Sequence, residues 1–207
     1  MQPDLATVTQ PGPLPAGPAA GSTAERLIAS AVELIAEHGA VEQVSLRSIA
    51  AGAGVSPTAV YRHFADHEAL VTATVRWCWH RFDRTVNHET AHIADPYRRL
   101  QAQGRVYVRF ALEQPGVYRV LFSTAGLVGV VREDVGLPVF MKLVDTVGAV
   151  LDASHDQRQA LTVATQVFSW VHGIADLRLT GVDLPWEPVE TQVDSLLHSL
   201  RLLPIES

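Results

Sequence analysis

Between residues 43 and 65 the chain carries no Asp or Glu, yet it keeps Arg47 and Arg62. The same stretch holds the hydroxyls of Ser45, Ser56 and Thr58, the phenol of Tyr61 and the imidazole of His63. This is a set of cations and hydrogen-bond donors without a competing anion, which is the chemistry a polyphosphate backbone selects. A guanidinium such as that of Arg62 donates to guanine or to phosphate, and Arg47 has the same choice. Thr58 offers a hydroxyl and Ala59 a small face for a thymine methyl, while Tyr61 and His63 suit phosphate or sugar. Ser45 and Ser56 stand at expected helix N-termini, where free backbone N–H groups also favour a phosphate.

Those side chains need a rigid element to present them, and the spacing around them supplies one. Ala50 is small enough for a close helix crossing, Gly54 tolerates a positive φ in a turn, and Ile49, Val55 and Val60 are apolar filling for the angle. Ala50, Gly54 and Val60 stand four and then six residues apart, the spacing of a helix-turn-helix unit. Ser56 is placed to cap the second helix, and Pro57 falls at its first position, where a missing N–H costs nothing. In such a unit the second helix enters the major groove.

A second group of residues lies downstream. Trp77, Trp79, Phe82, Tyr107, Phe110, Tyr118, Phe122, Phe168 and Trp170 make an aromatic-rich body, most of it expected core. A sensor of small molecules needs an apolar cavity with a few polar groups. Trp77, Arg81, Tyr107, Phe110, Phe122 and His172 are the candidates for lining one, and the effector would be largely apolar. His63 with His67, and His88 with His92, have the i, i+4 spacing of metal ligands, but neither pair has a convincing third ligand. No metal and no cofactor is expected.

The elements that must position these groups read as helices throughout. Residues 1–21 are rich in Pro, Gly and Ala and predict a flexible tail. Ser22 to Glu25 reads as a capping box opening a helix over 23–38, with Gly39 at its stop. Further helices are predicted from Ser45, over 56–63, over 66–93 with Asp66 as cap, and near 96–113, 115–123, 134–152, 155–180 and 187–203. No convincing strand pattern appears, so the fold class is all-α, with about nine helices. The chain has 207 residues, 47% of them hydrophobic, and a net charge of −6. That balance excludes non-specific coating of nucleic acid but not a local basic face. Cys78 is the only cysteine, so no internal disulfide forms. No apolar run is long enough to cross a bilayer and no signal-peptide pattern opens the chain, so a cytoplasmic location is expected.

The stretch "ELIAEHGAVEQVSLRSIAAGAGVSPTAVYRHFADHEAL" resembles the DNA-binding domain of the TetR family of bacterial transcriptional regulators. The resemblance runs from Ala24 to Leu70. It implies DNA contact at or near Arg47, Pro57, Thr58, Ala59, Tyr61 and His63. The family commonly has a lysine gripping a phosphate at the start of the fourth helix; Ala65 and His67 stand there instead, which implies weaker or pH-dependent anchoring through His67. "RFALEQPGVYRVLFS" and "FSWVHGIADLRLTG" resemble a subgroup with a Trp-x-His-Gly signature, here Trp170, His172 and Gly173, and imply a ligand-binding and dimerisation domain over 68–207 beside a helix-turn-helix domain over 22–67. The last two helices show broad apolar faces. Leu161, Ala164, Phe168, Val193, Leu196, Leu197 and Leu200 are expected to form a four-helix interface between two copies. The resulting expectation is a homodimeric, ligand-responsive regulator, most simply a repressor, on a near-palindromic operator. The rival readings are a small α-helical enzyme using His172 or Cys78, and a protein-interaction adaptor that no longer binds DNA.

Overall fold

Prolines, hydroxyls and carboxylates set where the helices begin. The computed structural model describes residues 21–38, 43–122, 132–151 and 157–200. The predicted tail over 1–20 and the end of the last predicted helix, 201–203, lie outside them, as does Gly39. Among the described residues there are nine α-helices and no strand. They are α1 Thr23–His38, α2 Leu46–Gly52, α3 Pro57–Val60, α4 His67–Thr90, α5 Pro96–Glu113, α6 Pro115–Leu121, α7 Leu137–Leu151, α8 Gln157–Leu179 and α9 Val189–Ser199. One wider π-type turn, Arg132–Gly136, leads into α7.

The caps follow the sequence with two exceptions, at Glu25 and at Ser56. Ser22 Oγ accepts from the Glu25 N–H at 3.1 Å, and the Glu25 carboxylate accepts from the N–H of Gly21 rather than Ser22. Ser45 and Ser48 close a reciprocal box at the start of α2, each hydroxyl accepting from the other residue's N–H at 3.1 Å. Asp66 and Asp95 cap α4 and α5 by accepting from Ala69 and Arg98. Ser56 holds the N-cap position of α3 with extended backbone, but its side chain makes no capping bond. The third helix is also shorter than expected: it runs one turn and continues as looser turns through His63.

The N-terminal unit packs α1 against α2 and α4, and α2 against α3. Gly52 is the tight point between α1 and α2, since a Cβ there would lie 2.3 Å from Ser30 Oγ. The Ser30 hydroxyl is buried and donates to the Ile49 carbonyl at 3.0 Å. The C-terminal body is built on α5, α7 and α8, with α4 and α6 joining it to the N-terminal unit. Gly104 on α5 makes the notch for α9: a Cβ there would lie 3.0 Å from Val193 Cγ1.

Four of the seven residues expected at a dimer face are taken up inside the chain. Ala164, Val193, Leu196 and Leu197 are buried in the chain's own core and have no surface left for a second copy. Leu161, Phe168 and Leu200 are half-buried against the same core. The apolar side of α9 is used against α5 and α8. The outward stripe of α8 is a different set, running through Gln166, Trp170, Gly173 and Leu177, with Trp170 and Leu177 each 42% exposed.

Candidate nucleic-acid interface and effector site

Most of the sequence-predicted residues fall into two arrangements. The first is the surface formed by α2 and α3. Gly54 turns the chain at φ 67° with open space around its α-carbon, so only its backbone conformation demands glycine. The Val55 N–H returns to the Ala50 carbonyl at 2.9 Å and locks the turn. Val60 is fully buried and pins α3 to the unit below, a burial that contributes about 1.5–3 kcal/mol. With Val60 held inward, Ser56, Pro57, Thr58, Tyr61, Arg62 and His63 are exposed, Tyr61 at 61%, and Ala59 is half-buried at the edge. Ser45 and Arg47 are exposed on the neighbouring start of α2. Among the described residues neither Arg47 nor Arg62 forms an ion pair, so both guanidiniums are available to an outside anion. His67 differs from the rest: it is half-buried, and its Nε2 is buried without a hydrogen-bond partner. Its outer nitrogen therefore does not point at a ligand on this surface.

The second arrangement lies inside the C-terminal body. The Tyr107 and Tyr118 hydroxyls both reach Nδ1 of His172, at 2.9 and 2.8 Å. One lone pair cannot take two donors, so one phenol bonds Nδ1 while the other is satisfied through its neighbour's oxygen. Aromatic rings enclose this triad: Phe122 lies 4.5 Å from the His172 ring, Phe168 stacks on it at 5.6 Å, and Phe82 packs edge-on to Tyr107 at 5.5 Å. Burial drives the His172 pKa down, with Asp176 partly opposing, so the imidazole is kept neutral. Burial likewise raises Tyr107 well above the usual phenol value and pushes Tyr118 up to about 12.

The six predicted ligand residues divide between two places. Tyr107, Phe122 and His172 share the aromatic cluster, and Phe110 is buried core behind it, 5.2 Å from Phe82. Trp77 and Arg81 do not join them. They line a surface cleft of about 290 Å³ between α1, α4 and the start of α6, with Val32, Glu33, Gln114 and Val117. There the Arg81 guanidinium lies over the Trp77 ring at 5.3 Å and donates to Gln114. Two participants escaped the sequence reading. Tyr118 was counted only as an aromatic, although its hydroxyl completes the triad. Trp79, also read as core, is 7% exposed, and among the described residues its indole N–H has no acceptor. Nothing in a linear pattern distinguishes a satisfied buried donor from an orphaned one.

Packed helices lie between the two arrangements. Tyr118 sits on α6, and α6 packs on α1, where a Cβ at Gly116 would touch Ala36 at 3.5 Å and Val32 at 3.7 Å. On α4, Asp83 is buried and receives Lys142 Nζ of α7 at 2.7 and 2.8 Å. Cys78 is fully buried, and that burial pushes its thiol pKa far up, so it is not poised as a nucleophile. Among the described residues no three His, Cys, Asp or Glu side chains gather to hold a metal, and no helix is long and apolar enough to cross a membrane.

Comparison with known proteins agrees with both ends of the chain. Residues 27–74 match the family described as bacterial regulatory proteins of the tetR family, and residues 100–200 match the tetracyclin repressor-like C-terminal domain. No curated protein matches. Solved structures share the fold. A TetR family transcription regulator from Marinobacter aquaeolei VT8 is 18% identical with TM-score 0.68, over 86% of this chain and 94% of its own. A protein of unknown function from Rhodococcus sp. RHA1 is 26% identical with TM-score 0.71, over 86% and 93%. AibR, solved in complex with isovaleryl coenzyme A and operator DNA, is 22% identical with TM-score 0.66, over 86% and 97%. With a helix-turn-helix unit matched at one end and the family's C-terminal domain at the other, the chain belongs to the TetR family of transcriptional regulators.

Proposed function

We propose that this regulator is a homodimeric repressor that leaves its operator when a small, largely apolar effector enters the Tyr107–Tyr118–His172 cluster. The observation that carries the DNA half is the surface from Ser45 to His63. It holds unpaired Arg47 and Arg62, an exposed Tyr61 and no acid, on a helix fixed by the buried Val60. Thr58, Ala59 and Arg62 face the base edges in this reading, and Arg47, Tyr61 and His63 the backbone.

Release is a population shift. Two reading heads about 34–36 Å apart fit successive major grooves, and any effector that favours another separation lowers affinity. α6 supports such coupling, because Tyr118 in the cluster and Gly116 against α1 lie on one short helix. AibR, which shares the fold, is solved in complex with isovaleryl coenzyme A and operator DNA. The second copy would pack on Trp170, Gly173 and Leu177 of α8, the apolar stripe that this chain leaves open.

The test is an electrophoretic shift with the DNA upstream of the chain's own gene. Arg47→Ala and Tyr61→Ala should each weaken the shift about tenfold, and Arg47→Ala should lower the slope of log K against log salt by about one per head. If neither variant weakens it, the DNA face is wrongly assigned.

A further inference from the structure

The indole of Trp79 is deeply buried, yet among the described residues its N–H meets no acceptor. It lies in the cluster just described, with Phe122 at 6.0 Å and Phe82 at 6.2 Å, both edge-on. The π-type turn closes over it, since a Cβ at Gly136 would come within 3.1 Å of the indole. The rings of Phe82 and Phe122 and the backbone of Gly136 pack on this indole, and none of them accepts its N–H. On the far side of Phe122 stand His172 at 4.5 Å and Tyr118 at 4.9 Å, whose polar atoms already bond one another. Phe122 is thus a half-buried ring wedged between an unsatisfied donor and a satisfied triad. A buried donor left unpaired is a standing penalty, and a ligand acceptor that reaches it recovers that loss. A ligand without an acceptor recovers nothing there.

We infer that the effector carries a carbonyl-type hydrogen-bond acceptor received by the Trp79 indole N–H, on a compact apolar or aromatic body that takes the place of the Phe122 ring. Trp79 is then the residue that selects the effector's polar group, and the triad borders its apolar body. This rests on the reading of the C-terminal helices as an effector domain, but its test needs no DNA, so it fails or stands separately from the operator assignment.

The probes are acetophenone and ethylbenzene, which match in size and differ in the acceptor. The full chain with Phe122→Ala opens a space of benzyl size, and apolar cavities of that kind admit small aromatics. By calorimetry this variant should bind acetophenone about five- to tenfold more tightly than ethylbenzene, the ratio one neutral hydrogen bond supports. Adding Trp79→Phe should reverse the preference, because the ketone oxygen is then desolvated without gaining a donor. Acetophenone, and not ethylbenzene, should also move the Trp79 indole N–H resonance of the Phe122→Ala chain. Equal affinities in Phe122→Ala, no uptake of either probe, or a preference that survives Trp79→Phe overturns the proposal. Should the double variant fail to fold, the resonance decides: an indole signal that acetophenone leaves unmoved overturns it as well.

Discussion

At the scale of single residues, Gly52 and Gly54 are close in sequence and needed for opposite reasons. Gly54 has free space but a left-handed backbone, so Gly54→Ala should cost about 1–2 kcal/mol through conformation alone. Gly52 has ordinary backbone but Ser30 Oγ where a methyl would go, so Gly52→Ala should cost about 1–3 kcal/mol through overlap and loss of the Ser30–Ile49 bond. Thermal melts of the double variants separate the two: Ser30→Ala relieves Gly52→Ala and leaves Gly54→Ala as it was. The sequence shows Gly54 as a turn residue, but the crowding at Gly52 comes from a helix more than twenty residues earlier and has no local signature. His172 gives a second test. Burial lowers its pKa in the fold, so between that lowered value and the unfolded value of about 6.5 the unfolded chain binds more protons. Its contribution is therefore complete above about pH 6.5 and is lost as pH falls through that window. Burial lowers the pKa of His80 as well, so it acts in the same sense. Melting temperatures from pH 7.5 to 5.5 should fall less steeply for His172→Gln than for the parent chain, and equal slopes would remove the imidazole from this account.

At the scale of elements, helix starts were legible because each start is local chemistry. Ser22, Ser45, Asp66 and Asp95 all accept from a first-turn N–H, and Pro57, Pro96 and Pro115 open helices where no N–H is required. What periodicity does not contain is the identity of the partner. The stripe of Val193, Leu196 and Leu197 announces a buried face but not that α5 covers it, with Gly104 hollowed to receive Val193. The same limit applied to the ligand residues, since Trp77 and Arg81 share a helix with Trp79 but face the α1 cleft. Helix-to-helix polar links were equally invisible. Asp83 of α4 and Lys142 of α7 are far apart in sequence, and the pair ties α4 to α7. Asp83 is buried and Lys142 half-exposed, so the two ends are not equivalent. Lys142→Met strands a buried carboxylate and should destabilise by about 1–3 kcal/mol. Adding Asp83→Asn should restore part of that loss in a denaturant titration. No recovery would mean that Lys142 acts through its aliphatic stem rather than its charge.

At the scale of the molecule, the open question is what covers the outward side of α8. Glycine inside a helix costs about 1 kcal/mol relative to alanine, and Gly173 gains nothing within the chain, because a Cβ there would meet no atom within 4 Å. It lies one turn from Trp170 and one turn from Leu177, both of them large and exposed. In the proposed dimer a second copy approaching along this stripe would give the glycine its use, letting two backbones come close while the flanking side chains fill the edges. Tryptophan anchors of this kind dominate binding energy when desolvated. Trp170→Glu should therefore convert the proposed dimer to single chains of 22.5 kDa in sedimentation at micromolar concentration. Operator affinity should fall with it, since a lone reading head keeps only half of the phosphate contacts. Leu196→Ala is the matched control: it removes a side chain buried inside one chain, so it should lower the melting temperature and leave the sedimenting mass unchanged. If Trp170→Glu stays dimeric while Leu196→Ala dissociates, the two-fold contact lies on α9 after all, and the chain must open that helix from α5 to make it.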